Sequence, residues 1–179
     1  MSKIFIGLIF ILFDFRLFLF ILNFNIFPDF IGYIILLLGI LELKKRSKHY
    51  KNIIPITIFM IFISSIISII NFLMIKLNLV AYEFINIITT GIFMYLSYEI
   101  ILGIKDMEKA DDNNYKATNL YKIWQVLLIV LYVGYLCLFI PGFSENMFIT
   151  IIISITNIIM LLIFVIAFYI TKNIYNSYH

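Results

Sequence analysis

The stretch from Ile53 to Ile75 runs for 23 positions without a charged side chain. That length is enough to cross the roughly 30 Å hydrocarbon core of a bilayer, which takes about 20 residues of helix. Hydrocarbon offers no water to backbone N–H and C=O groups. A spanning segment must therefore be a helix, which satisfies them internally, or one strand of a closed barrel. Barrel strands alternate apolar and polar residues, whereas the runs here are continuous, so the sequence specifies helices.

Composition agrees. A water-soluble domain holds about a quarter charged and about half apolar residues; this chain of 179 residues is 13% charged and 64% hydrophobic. Apolar segments fall at Ile4 to Phe24, Phe30 to Leu43, Ile53 to Ile75, Val80 to Ile104, Ile123 to Ile140 and Met147 to Ile170. They predict an all-α fold, a polytopic transmembrane bundle of six helices forming a single domain over residues 1–179. Phe30 to Leu43 is short, about 21 Å at about 1.5 Å per residue. It spans only if Lys44, Lys45 and Arg46 extend toward the headgroups at one end and Asn25 to Asp29 sit below the surface at the other. The start, Met1-Ser2-Lys3 before Ile4 to Phe13, looks like a signal peptide, but the run continues past Asp14 and Arg16 with no small-residue cleavage site. It reads as a retained first helix.

Cytoplasmic loops carry the excess of Lys and Arg. With six spans, Lys3, the run Lys44, Lys45, Arg46, Lys48 and Lys51, then Lys105, Lys109, Lys116 and Lys122, and finally Lys172 share one side, eleven of the thirteen. Only Lys76 lies opposite, and Arg16 is inside a helix. Both termini are thus expected in the cytoplasm of a multi-pass cell-membrane protein. The formal charge of +3 is explained by these flanking residues, which argues against a nucleic-acid partner.

The segment Lys105 to Lys122 reads as a solvated cytoplasmic loop, broken by Asp111-Asp112-Asn113-Asn114. A docking surface for a soluble protein partner is the sharper reading. Pro55 suits a first helical turn, and Pro141-Gly142 a turn ending the fifth helix. The lone Cys137 reads as a small buried hydrophobe and forms no intrachain disulfide.

The candidate site rests on intramembrane polar groups. Asp14 and Arg16 fall near the bilayer centre, where each costs about 2.5 to 3.5 kcal/mol on insertion scales. Two positions apart, they point about 200° away from each other and cannot pair well together. Polar stripes recur at helical spacing: Thr57, Ser64, Ser68 and Asn71; Glu83, Asn86, Thr90 and Ser97; Asn146, Thr150, Ser154 and Asn157. The packing reading is hydrogen bonding between helices; the functional one is a polar cavity. Glu83, one turn inside its helix, is a candidate to receive a cation, with Asn86 nearby and Tyr33 lining a vestibule. The default for Tyr33 is an interfacial aromatic. Glu42 and Glu99 read as solvated. Asp29 suits a helix N-cap, and Gly32 and Gly39 share a face that lets another helix approach.

Asp14-Phe15-Arg16 together with Phe27-Pro28-Asp29-Phe30-Ile31-Gly32-Tyr33 and the following run to Ile40 resembles the amino-terminal part of small integral membrane proteins of low-GC Gram-positive bacteria. The resemblance covers about the first quarter of the chain, centres on the Pro-Asp-Phe-Ile-Gly-Tyr string, and implies no activity.

His49 and His179 lie outside the apolar segments, and there is no HExxH pair and no Gly-x-Ser-x-Gly elbow. No catalytic residue, metal ligand or cofactor is predicted. The leading expectation is a non-enzymatic bundle that binds or passes a small solute, with Asp14, Arg16, Glu83, Asn86 and Tyr33 as its site. Size and six spans also resemble the substrate-binding subunits of vitamin transporters, without a diagnostic motif. The alternative is a membrane interaction or scaffold protein whose polar groups are structural.

Overall fold

A computed structural model of the chain describes residues 1–12, 29–73, 79–139 and 146–178. Among the described residues the secondary structure is helical throughout: α1 (Ser2–Leu12), α2 (Asp29–Leu43), α3 (Lys48–Phe72), α4 (Leu79–Ala110), α5 (Ala117–Phe139) and α6 (Met147–Tyr178). Four stretches are long and apolar enough to cross a membrane, within α3, α4, α5 and α6. The chain divides into two units, Met1–Asn113 and Asn114–His179.

In unit 1 each helix packs on its neighbours in sequence, α1 on α2, α2 on α3 and α3 on α4. The buried positions of α2, Gly32, Tyr33, Leu36, Gly39, Ile40 and Leu43, recur at the three- and four-residue spacing of one helical face. Glycine makes the α1–α2 contact possible. A Cβ on Gly7 would fall 2.6 Å from the Leu36 nitrogen, and one on Gly39 would fall 2.7 Å from the Ile4 nitrogen. Neither backbone atom can swing aside, so the helices touch along glycine as small-residue seams do in lipid. The helix that the Gly32–Gly39 face admits is α1.

On α3 the inward face is Tyr50, Ile53, Thr57, Met60 and Ser64, again alternating three and four. In unit 2, α5 packs on α6, with Leu120, Trp124 and Leu127 buried on α5 and Phe164, Phe168, Thr171 and Tyr175 on α6.

Helix ends depart from the apolar boundaries wherever a helix continues beyond the apolar run. α3 begins at Lys48 rather than Ile53, because Ser47 caps it: its hydroxyl accepts the His49 N–H at 3.1 Å, satisfying an otherwise orphaned donor. Pro55 consequently lies two turns inside α3 instead of in its first turn. α4 runs to Ala110 and α5 starts at Ala117, so the expected loop from Lys105 to Lys122 contracts to residues 111–116. Apart from Asp106, the residues from Lys105 to Ala110 are good helix formers, and hydropathy marks where lipid stops, not where a helix does. The Asp-Asp-Asn-Asn break is real: Asp112, at φ 52°, is a left-handed residue just past the end of α4, a second one, Lys116 at φ 62°, immediately precedes α5, and the Asn114 side chain accepts the Lys116 N–H. At the far end α6 continues to Tyr178 rather than stopping at Ile170. The first helix is described only to Leu12, so the expected extension to Phe24 lies outside the described residues.

Candidate functional site

The polar residues converge at the end of unit 1 where α1 begins, α2 ends, α3 begins and α4 ends. Lys3 on α1 is paired with Glu42 on α2, which fixes those helices as antiparallel with their basic ends together. The turn after α2 then delivers Arg46, Ser47 and His49 against the last turns of α4. Arg46 donates to both carboxylate oxygens of Asp111. The Ser47 hydroxyl donates to Asp106 Oδ2 at 2.6 Å while accepting from the backbone of His49.

His49 is the centre of this clasp. Its Nδ1 lies 2.8 Å from Glu99 Oε2 and its Nε2 lies 3.7 Å from Asp106 Oδ2. Glu99, Gly103 and Asp106 follow one another at four and three residues along α4, so they share one face. Gly103 lets that face meet α3, since a Cβ there would sit 2.6 Å from the Tyr50 ring. Glu99 is 9% exposed and lies within the candidate span Phe84–Ala110; the Tyr95 phenol, one turn earlier, is also hydrogen-bonded to it. The expectation that Glu99 is solvated is corrected: the early start of α3 carries His49 onto the helix and into reach of it. Glu42 keeps half its surface, as expected.

An imidazolium donates from both ring nitrogens, whereas neutral imidazole donates from one only. The Glu99 side of the ring is a hydrogen bond, while Asp106 at 3.7 Å stands within ion-pair range of Nε2 and beyond hydrogen-bond reach. The row Glu99–His49–Asp106 does not form a metal set: the two carboxylates take opposite edges of the ring instead of converging on one point. Among the described residues no three His, Cys, Asp or Glu side chains group around a metal position.

The residues singled out from the sequence fare differently. Asp14 and Arg16 lie outside the described residues, and the side chain of Glu83 is likewise not described. Tyr33 is 3% exposed, buried on the α2 face rather than at an interface. Asn86 is half-buried on α4, and its carbonyl accepts from the Thr89 hydroxyl at 3.1 Å. Among the described residues α2 and α4 are not in contact, so Tyr33 and Asn86 do not sit on adjoining helices.

Hydroxyls of the polar stripes mostly bond to their own helix. Thr57 donates to the Ile53 carbonyl, Ser64 to Met60, Ser97 to Met94 and Ser154 to Thr150, the back-bonding that makes such residues tolerable in lipid. Asn146 belongs to a cap rather than a stripe: its side chain accepts the N–H groups of Phe148 and Ile149 at the start of α6. Asn157 differs. Its Oδ1 is buried against Gly134 of α5 with no hydrogen-bond partner among the described residues.

No protein-family model matches the chain, and no curated protein or solved structure matches it either.

Proposed function

We propose that the chain is a six-span cell-membrane protein, with both termini in the cytoplasm, that binds or passes a small solute without chemical conversion, a proton or small cation being the class its residues suit. The observation carrying this reading is the Glu99–His49–Asp106 row. Ionisable groups held inside or at the edge of a span are costly, and chains of carboxylate and imidazole are the usual material of proton relays. The one-sided distribution of Lys and Arg supports the orientation, and the resemblance around Pro28 to Tyr33 supports a bacterial membrane setting. Asp14, Arg16 and Glu83 remain the candidates for the rest of the path.

The test is reconstitution of the full chain into vesicles carrying an internal pH dye and a cation gradient. Wild type is expected to dissipate the gradient, and Glu99→Gln to slow it at least tenfold. Wild-type vesicles as tight as protein-free ones would defeat the reading.

A second reading, a membrane interaction protein, is favoured by the hydroxyls of α3, α4 and α6 that bond to their own backbones. Polar stripes of that kind need no cavity. Gentle purification followed by mass spectrometry for small molecules and proteins separates the two: a stoichiometric protein without a ligand supports the second.

A further inference from the structure

We propose that the basic end of unit 1 is a binding surface for anionic phospholipid headgroups, formed by Lys44, Lys45, Lys48 and Lys51, with Lys109 beside them. All five side chains are exposed, and none has an ion pair among the described residues. Four of them occur within the eight residues from Lys44 to Lys51, a stretch with no Asp or Glu. Lys48 and Lys51 stand three apart on one face of the first turn of α3. Lys109 lies in the last turn of α4, which the clasp draws against that same first turn.

The acidic side chains of this end are turned to other work. Glu42 is taken by Lys3, Asp111 by Arg46, Asp106 by Ser47 and His49, and Glu99 by His49. That leaves Glu108 and Asp112 as the carboxylates without an ion pair among the described residues, against five lysines. The clasp therefore has an electrostatic consequence beyond fastening α3 to α4: it engages Asp106 and Asp111, leaving two carboxylates of the rim to compete for five lysines. The lysines follow Leu43 directly and open the candidate span Lys48–Ile70, which sets them at headgroup depth. A phosphate there is already concentrated, and each lysine near an anionic surface adds to its attraction. The proposal does not depend on what solute the protein handles.

The experiment uses the full chain in a mild uncharged detergent, following its melting temperature as phosphatidylglycerol, phosphatidylcholine or inorganic phosphate is titrated at equal concentrations. Phosphatidylglycerol is expected to raise the midpoint at concentrations at least about tenfold below those needed for phosphatidylcholine, with high salt shrinking the difference. The variant K44Q/K45Q/K48Q/K51Q is expected to lose the preference and to melt as wild type does in phosphatidylcholine. Equal response to the two lipids overturns the proposal, as does a preference unchanged in the variant. An equal response to inorganic phosphate also overturns it, in favour of a site for soluble phosphate. If the fourfold variant does not fold, K44Q/K45Q and K48Q/K51Q are each expected to lose part of the preference, and full retention in both overturns the proposal.

Discussion

His49 Nδ1 stands 2.8 Å from Glu99 Oε2, across 50 positions of sequence, and joins the first turn of α3 to the interior of α4. Both side chains are mostly withdrawn from solvent, 19% and 11% exposed. At that burial a lost partner is not replaced freely by water.

Glu99→Leu is accordingly expected to destabilise the protein by about 1 to 3 kcal/mol, the cost of leaving a buried polar group without its partner. His49→Leu should cost a similar amount, and the double variant less than the sum of the two. Thermal melting of the three variants in detergent measures this. Additive losses would mean that the 2.8 Å contact contributes nothing to stability.

The glycine seam gives a paired prediction. Gly7→Ala places a methyl on the backbone of Leu36, and forcing two helices apart by overpacking costs about 1 to 3 kcal/mol. Gly91→Ala is the control, since a Cβ there meets nothing within 4 Å and alanine is favoured in a helix by about 0.5 to 1 kcal/mol. The first is expected to lower the melting temperature and the second to raise it. Equal behaviour would remove the argument that α1 and α2 are held by close approach.

These residues also show what the sequence makes legible. The apolar runs identify α2 through α6 because lipid demands continuous hydrophobicity, and the seven-residue separation of Gly32 and Gly39 reveals a packing face. The clasp was not legible in the same way. Hydropathy places the start of α3 at Ile53, which leaves His49 in a loop and Glu99 facing water. The signal that moves both is small: Ser47 as a cap six residues before Ile53, and the four-three spacing of Glu99, Gly103 and Asp106 on α4. Pairing residues 50 positions apart depends on which helices adjoin, which one sequence does not encode locally. Asp14 and Arg16, the costliest residues by sequence, lie outside the described residues.

Asn157 provides a test in unit 2. A buried carboxamide oxygen without a partner costs about 1 to 3 kcal/mol, and leucine has nearly the same length without the polar atoms. Asn157→Leu is therefore expected to raise the melting temperature in detergent. A drop would show that the carboxamide is bonded in the working protein.

Orientation rests on charge and is tested by fusions. The pairing of Lys3 with Glu42 and the clasp between Ser47, His49 and α4 place Lys3, Lys44 to Lys51, Lys105 and Lys109 at one end of unit 1. In unit 2, Tyr115 stacks edge-on against Tyr175 and Tyr178, so Lys116 and Lys172 share an end there. Each Lys or Arg resists export, and the bias acts within about 15 to 20 residues of a span. Reporters placed within Lys44 to Lys51, between Asp111 and Lys116, and after His179 are expected to report cytoplasm. One between Pro141 and Asn146 should report the outside, as should one at Leu77 to Leu79. A single exported reporter at Lys44 to Lys51 would be decisive against six spans with cytoplasmic termini, because either α1 and α2 do not cross as a pair or the bundle is inverted, and in both cases the most basic segment of the chain would have been carried across the membrane. Neutralising Lys44, Lys45, Arg46, Lys48 and Lys51 together should then weaken the orientation of α1 and α2 while leaving α5 and α6 in place, because Lys116, Lys122 and Lys172 still hold the second pair.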